Sequence, residues 1–567
     1  MVHSIRFLNE EASVCVPAGV SLLSAWRMAG LTPDAPCGGR GTCGKCLVDI
    51  RCPGQTEWRR VNACQTQVDE DLEVRTLFPE ARRVLVLDQG EPDAAFPRMP
   101  WIQIVPLSVA PCPPGQSISL WSRLTAALEI ATGNAAWEPN FPILSQLAPL
   151  IRQTQGEIWA VVSPNRILAV WGQPQPVYMA AFDVGTTTLA GYLLEGDEVV
   201  ARAGMPNSQT QYGADVIQRV DYAAANGPKV LSDCIRHDLD GLLGRLCAQA
   251  SVSREQIMAV SLVGNTCMHH LFLGIPPDTL GRCPYAPVFS DRAVLSCASY
   301  GLHVHPAGEL LLLPVIAGFV GADTVACLIS RNWESLESLT LLIDIGTNGE
   351  IVLGDRRRLA VCSAAAGPAF EGAGIQWGMR GAPGAVDHVW LQGGEMGWSV
   401  IGGGEAIGVC GSGLIDWIAA LRKAGRIDPS GRAPEAPFAL GDTAVCLTQR
   451  DIRQVQLAKA AISAGILLLA RHLGISLEDI QNVYLAGAFG TFLDPDSACT
   501  IGLIPGCLRS KLRPIGNAAG EGAKLALQAR SAWDSAARLA RKAEFLELAS
   551  SPDFQDVFVD QLEFPPL

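Results

Sequence analysis

The chain has 567 residues, enough for about three to five domains at roughly 100–200 residues each. Its 43 basic and 56 acidic side chains leave a net charge of −13 and a pI near 5.2, which argues against a broadly basic nucleic-acid surface. Hydrophobic residues make up 49% and charged residues 17%, so the composition excludes global disorder. The mean hydropathy of +0.22 raises the question of a membrane. The longest apolar run, Ala460–Ala470, is too short to span a bilayer and fits a buried core helix. Residues Met1–Glu10 lack the apolar core of a signal peptide, so a cytoplasmic protein with no membrane span is expected.

Residues 1–80 read as a small mixed sheet with a helix over Val20–Ala29. Cysteines crowd this unit: Cys15, Cys37, Cys43, Cys46, Cys52 and Cys64, of a total of 18. Cys37, Cys43 and Cys46 follow a C-x5-C-x2-C spacing, and Cys64 follows Cys46 after 17 intervening residues. Four thiolates at such a loop can hold a two-iron, two-sulfur cluster, with Gly38, Gly39, Gly41 and Gly44 letting the backbone wrap it. Tetrahedral zinc is the structural alternative, but zinc sites commonly offer two short knuckles and only one is present. Cys52 is the competing fourth ligand, and Cys15 reads as core. Gly39–Lys45 matches G-x-x-x-x-G-K, but Cys46 stands where a P-loop needs Ser or Thr.

Seven prolines fall between Pro92 and Pro114, which predicts an extended, semi-rigid connector. Helical spacing from Leu120 and apolar runs at Ile158–Val162 and Ile167–Trp171 then predict a small α/β domain without evident chemistry.

From about residue 178 onward, apolar strands alternate with Gly-rich turns and helices. Two segments repeat one design. Tyr178–Asp183 runs into Val184, Gly185, Thr186, Thr187 and Thr188; Leu341–Asp344 runs into Ile345, Gly346, Thr347, Asn348, Gly349 and Glu350. Each is strand, tight turn, strand. Gly and Thr at a hairpin tip can grip phosphates, and the Asp at each strand end can hold Mg2+ directly or through water. Two ordinary hairpins are the bland alternative. Gly411, Ser412 and Gly413 open a predicted helix that either faces phosphates or packs closely. His269 and His270 sit in an apolar stretch and read as core histidines.

The paired hairpins resemble the actin, sugar-kinase and heat-shock ATPase superfamily. The resemblance implies two ribonuclease-H-like halves clamping ATP, with Gly487 and Ala488 in Val483–Gly490 lining the adenosine. The C-x5-C-x2-C loop with Ala63-Cys64-Gln65-Thr66 resembles a β-grasp ferredoxin. The stretches Gln211–Arg219, Val263–Leu271, Ala317–Thr324 and Cys362–Gly372, together with the ferredoxin-like start, resemble the ATP-dependent reductive activators of corrinoid proteins end to end.

That resemblance implies a multidomain α/β protein. Its parts are a [2Fe-2S] β-grasp domain (1–85), a Pro-rich linker (86–115), a middle domain (116–177) and a duplicated ATPase (178–567) in halves of about 178–335 and 336–567. It further implies that Co(II) in the corrinoid protein of a methyltransferase system is returned to Co(I). The reaction would use ATP, Mg2+ and one electron from an external low-potential donor. No nucleic acid is implied, and a homodimer is compatible with it. A two-iron cluster near about −400 mV faces an uphill transfer, each ~59 mV costing tenfold, so energy input or selective binding is required. Glu350 or Glu371 would position water or serve as a cleft-rim carboxylate, and Ser363 would touch cobalt or pack the cleft. Two competing functions keep the same parts: an ATP-gated electron donor to another low-potential enzyme, and a redox- and nucleotide-sensing binding protein.

Overall fold

The computed structural model describes residues 2–567 apart from Thr32, Asp34, 36–38, Arg40, 42–44, 77–95 and Thr347. The N-terminal unit comprises β1 (Val2–Phe7), β2 (Ala12–Pro17), α1 (Leu22–Met28), β3 (Leu47–Arg51), β4 (Arg59–Asn62) and β5 (Leu72–Thr76). They form one mixed sheet ordered β2-β1-β5-β3-β4, with β1 and β5 parallel at its centre. Helix α1 starts because Ser21 caps it, accepting the Ser24 amide. It buries Leu22, Leu23, Ala25 and Trp26 against the sheet, and Trp26 stacks on Phe7. Cys15 is exposed rather than core: on edge strand β2 it points away from the face that buries Val16, as a period of two requires.

The Pro-rich connector is not simply a tether. It contains β6 (Gln103–Ser108), which joins β7 (Glu157–Val162) and β8 (Ile167–Trp171) in a three-stranded sheet covered by α2 (Leu120–Thr132) and α3 (Phe141–Thr154). Pro106 is tolerated because β6 is an edge strand, where a missing N–H breaks no ladder. Just before it, the Trp101 amide donates to Leu527 O at 2.7 Å and its indole donates to Glu309 at 2.8 Å. Glu309 is 1% exposed, and Ser163 and Arg166 satisfy its other oxygen. A buried carboxylate with full partners thus fastens the middle domain to the C-terminal region.

The rest of the chain contains two sheets of one design. The first half supplies β9 (Tyr178–Val184), β10 (Thr188–Glu195), β11 (Glu198–Pro206), α4 (Val216–Asn226), α5 (Lys229–Ala250), β12 (Ile257–Gly264), α6 (Thr266–Leu273), β13 (Ala293–Ser296), β14 (Glu309–Leu312) and α7 (Ala322–Ser330). The second begins with β15 (Thr340–Ile345), β16 (Gly349–Gly354) and β17 (Leu359–Ala364). A large insertion comes next, built from β18 (Ala385–Gln392), β19 (Glu395–Val400), β20 (Gly408–Val409), α8 (Gly411–Lys423), β21 (Phe438–Ala439), β22 (Cys446–Leu447) and α9 (Gln449–Leu473). The half ends with β23 (Asn482–Ala486), α10 (Gly487–Phe492), α11 (Pro495–Thr500), β24 (Leu512–Pro514), α12 (Ala518–Gln528), α13 (Arg530–Lys542), β25 (Glu544–Phe545) and α14 (Phe554–Asp560).

The sheets share a strand plan, β11-β10-β9-β12-β14 and β17-β16-β15-β23-β24. In each, three antiparallel strands precede two parallel ones. The last helix of each plan, α7 and α12, cross between the halves, and one core of buried apolar side chains includes residues of both sheets. Helix α9 is the one helix among the described residues long and apolar enough to cross a membrane, but most of its apolar window is buried inside the protein.

The crossing is tight at Gly522, where a Cβ would fall 2.1 Å from the Ala326 carbonyl. Gly522→Leu is expected to lower unfolding stability by about 1–3 kcal/mol, the usual cost of overpacking. Urea unfolding of the full chain checks it; an unchanged midpoint would show that the helices can separate freely.

Candidate functional site

Both hairpin tips close in the same way. The Gly185 amide donates to Thr188 O at 3.0 Å, and the Gly346 amide donates to Asn348 O at 2.9 Å. A Cβ on Gly185 would lie 2.7 Å from Thr188 O, so the first turn needs glycine. Residues to which the sequence alone assigns no role hold this tip. Asn207 donates from its amide to Thr187 O and from its side chain to Gly185 O, each at 3.0 Å. Asn265 donates to Thr186 Oγ1 at 3.0 Å, and fully buried Arg219 donates to the Thr186 carbonyl. Burial lowers the Arg219 guanidinium to about 10, while Asp215 and Glu371 act against the shift. Glu371 belongs to the second half, so the field of that half acts on Arg219.

Strand register places the carboxylates. Asp344 on β15 lies opposite Glu350 on β16, and Glu350 lies opposite Ser363 on β17. In the first half Asp183 on β9 lies opposite Ala190, so only the second half carries a second acid in this row. Asp323, in the first turn of α7, completes the group from the middle of the cleft. Burial raises Asp183 to about 7, with Asp323 adding repulsion. Burial likewise raises Asp344 to about 7, with Asp323 and Asp183 adding to it. Asp323 rises to about 6 by burial, and burial, Asp323 and Asp344 push Glu350 well above the carboxylate range. All four side chains remain half-buried, walled by protein yet open to the cleft.

Neighbours fix their positions. Asn517, which caps α12, hydrogen-bonds Asp183 and donates to the Tyr192 hydroxyl at 3.1 Å. The Cys327 thiol donates to Asp344 Oδ2 at 3.9 Å. Gly487 has φ +83°, and a Cβ there would lie 2.6 Å from Asp344 Oδ1. The helix it opens, α10, ends beside a cavity of about 660 Å3 lined by His388, Trp390, Asp416, Phe492 and Asp494. Ser363 donates to Glu350 through a long 3.5 Å hydrogen bond. Gly411 and Gly413 are occupied in packing: a Cβ would lie 2.2 Å from Phe370 O and 2.4 Å from Val386 O respectively, while Ser412 donates to Asp387 O. His269 and His270 are buried, and both nitrogens of the His270 ring are engaged, by Thr266 O and the Val288 amide. Thr347 and the Ala488 side chain lie outside the described residues.

In the N-terminal unit Cys37 and Cys43 also lie outside the described residues. Cys46 and Cys64 are brought together: the Cys64 amide donates to Cys46 Sγ at 3.4 Å, and Ala63 N donates to Cys46 O at 2.8 Å. A sulfur accepting a backbone N–H is the environment a cluster thiolate needs, so the pair fits that group. Cys52 does not join them. It follows the far end of β3, roughly 20 Å along the strand at about 3.3 Å per residue. Its thiol bonds Glu70, which pushes its pKa up. Among the described residues, no three His, Cys, Asp or Glu side chains lie close enough to hold a metal ion. The cleft acids therefore suit a hydrated cation shared with phosphates better than a cage of protein ligands.

The shared strand plan, paired hairpins and acid-lined cleft define a two-half nucleotide clamp of the actin, sugar-kinase and heat-shock class. Residues 338–567 match the family model "C-terminal domain of RACo the ASKHA domain", and residues 178–335 match "RACo middle region". The corrinoid activation enzyme RamQ of Eubacterium limosum is 32% identical, the match covering 97% of each chain. A Methanosarcina barkeri protein described as a reductase of the Co(II) methylated amine-specific corrinoid protein is 25% identical over 68% of this chain and 77% of its own. Among solved structures, a reductive activator for corrinoid, iron-sulfur protein matches with a TM-score of 0.77 at 30% identity, covering 99% of this chain and 98% of that one. The chain belongs to this family of reductive corrinoid activators and is an enzyme with redox activity.

Two measurements test the site. The folded chain holds protons on Asp183 and Asp344 up to about pH 7 that the unfolded chain releases near 3.8. The stability they contribute is present below pH 4 and lost as pH rises to 7. Asp344→Asn, which cannot ionise, is expected to flatten the fall in urea midpoint of the nucleotide-free protein between pH 5 and 8; an unaltered slope would contradict the raised carboxyl. Cys64→Ser is expected to lose most bound iron while Cys52→Ser keeps it, as measured by iron and acid-labile sulfide analysis; the reverse order would reassign the ligand.

Proposed function

We propose that the chain reductively activates the corrinoid protein of a methyltransferase system, returning Co(II) to Co(I) with one electron and using ATP. Cys37, Cys43, Cys46 and Cys64 would hold a [2Fe-2S] cluster in a ferredoxin-like domain. When bound, that cluster supplies single electrons at low potential, itself recharged by an external low-potential donor. Gly185–Thr188 and Gly346–Asn348 grip phosphates from the two hairpin tips. Asp183, Asp323 and Asp344 would hold Mg2+ through its hydration shell. Gly487 leaves the Asp344 carboxylate undisturbed and starts the helix along which the adenosine lies, toward the cavity beside Phe492. Glu350, opposite Asp344, is placed to orient the attacking water once its neighbours' charge is balanced. Glu371 faces Arg219 from the cleft rim.

Hydrolysis is needed because the transfer runs uphill. Two clamp states that bind the Co(II) partner with different affinity can shift its reduction by that difference, and ATP resets the clamp. The observation that carries this reading is the near full-length likeness to RamQ, a corrinoid activation enzyme, on a chain that has a carboxylate cleft and brings Cys46 to Cys64. In an anaerobic mixture of the full chain, ATP, a low-potential reductant and a Co(II) corrinoid protein from a methyltransferase system, Co(I) absorbance is expected to rise only with ATP. Absence of any ATP dependence would overturn the reading.

A further inference from the structure

Helix α10 leads from the carboxylates to a second space. It begins at Gly487, against the Asp344 carboxylate. One turn on, about 5.4 Å along the axis, Thr491 and Phe492 line the cavity of about 660 Å3. The Thr491 hydroxyl ties the two ends together, donating to Gly487 O at 3.2 Å. The other wall comes from the insertion, which packs closely on α10. Phe489 stacks on Phe370 with ring centroids 5.2 Å apart, and a Cβ on Gly411, the first residue of α8, would lie 2.5 Å from the Phe489 ring. Asp416 on α8 and His388 on β18 thereby line the same cavity as the end of α10.

The walls suit a flat ring. Trp390 from the insertion and Phe492 from α10 are 45% and 50% exposed, so each offers free aromatic surface to the space between them. One hydrogen bond sets the polar edge. His388 Nδ1 lies 2.9 Å from Asp416 Oδ2, and Asp416 is 4% exposed. A carboxylate only accepts, so Nδ1 carries the ring proton and Nε2 keeps a lone pair. That nitrogen has no partner among the described residues. Three donors in the wall are already engaged: the Ser399 hydroxyl with Asp387 at 2.6 Å, the Thr491 hydroxyl with Gly487 O, and the Lys423 ammonium with Asp496. The cavity therefore offers an acceptor to a ring that brings an amino hydrogen.

We propose that His388, held in one tautomer by Asp416, selects the base of the bound nucleotide by accepting a hydrogen from its exocyclic amine, while Trp390 and Phe492 stack on the ring. This deepens the reading of the cleft as the ATP site and rests on it. A base with an oxygen in the amine's place sets one lone pair against another and is disfavoured. Asp416 is a positioning residue: without it the imidazole proton can move to Nε2, and the acceptor becomes a donor.

The test uses the full chain with Mg2+ and two non-hydrolysable triphosphates, one of adenosine and one of purine riboside, which carries hydrogen in place of the amine. Calorimetric titration of the wild type is expected to show the adenosine compound bound about 5-fold more tightly, the worth of one ordinary hydrogen bond. In His388→Phe and in Asp416→Leu that ratio is expected to fall toward one. The His388 side chain is 42% exposed, so its replacement leaves the core intact. Trp390→Ala is expected to weaken both compounds by about 5-fold or more and to leave their ratio, since stacking does not read the amine. Equal binding of the two by wild type, a preference that survives in His388→Phe or Asp416→Leu, or no loss in Trp390→Ala would overturn this proposal alone. No binding of either compound by wild type would overturn the cleft reading, and the proposal with it.

Discussion

Burial of four carboxylates in one cleft, with their mutual repulsion added to it, governs this molecule. Asp183, Asp323, Asp344 and Glu350 come from both halves and meet where the halves face each other. Protein walls deny them most of the water that would screen their charge, so in the empty cleft they hold protons rather than ionise together. In the proposed function a cation between the hairpins would remove that penalty, and phosphates would then meet the two glycine turns.

Duplication of one strand plan brings the acids together, and departures from it assign their tasks. Equivalent strands place Asp183 and Asp344 at equivalent ends. The partner position on the next strand is Ala190 in the first half and Glu350 in the second. Only the second half therefore pairs its strand-end acid with another. The tight α7–α12 crossing at Gly522 joins the halves through packed backbone rather than a loop.

The hairpins are legible in the sequence because a strand-end Asp, a glycine turn and a returning strand are written in consecutive residues. The fold brings Cys64 to Cys46, while β3 carries Cys52 away from it. What stays hidden depends on distant parts of the chain. Asp323, Asn265 and Arg219 stand in stretches marked only by resemblance, and their roles appear when β12, α4 and α7 are folded beside β9. Asn517 carries no signal, being one helix cap among many. Pro106 conceals β6, since proline density reads as a connector unless edge position is known. Cys15 reads as core until its strand is found at a sheet edge. The glycines at Gly411 and Gly413 are open between phosphate contact and packing in sequence, and their contacts with Phe370 and Val386 lie on the packing side.

The cation dependence of nucleotide binding tests the central role of the carboxylates most directly. Calorimetric titration of the full chain with a non-hydrolysable ATP analogue at pH 8 is expected to show binding with Mg2+ and little or none in its absence, because phosphates would otherwise add to the repulsion. Equal affinity with and without Mg2+ would contradict that role.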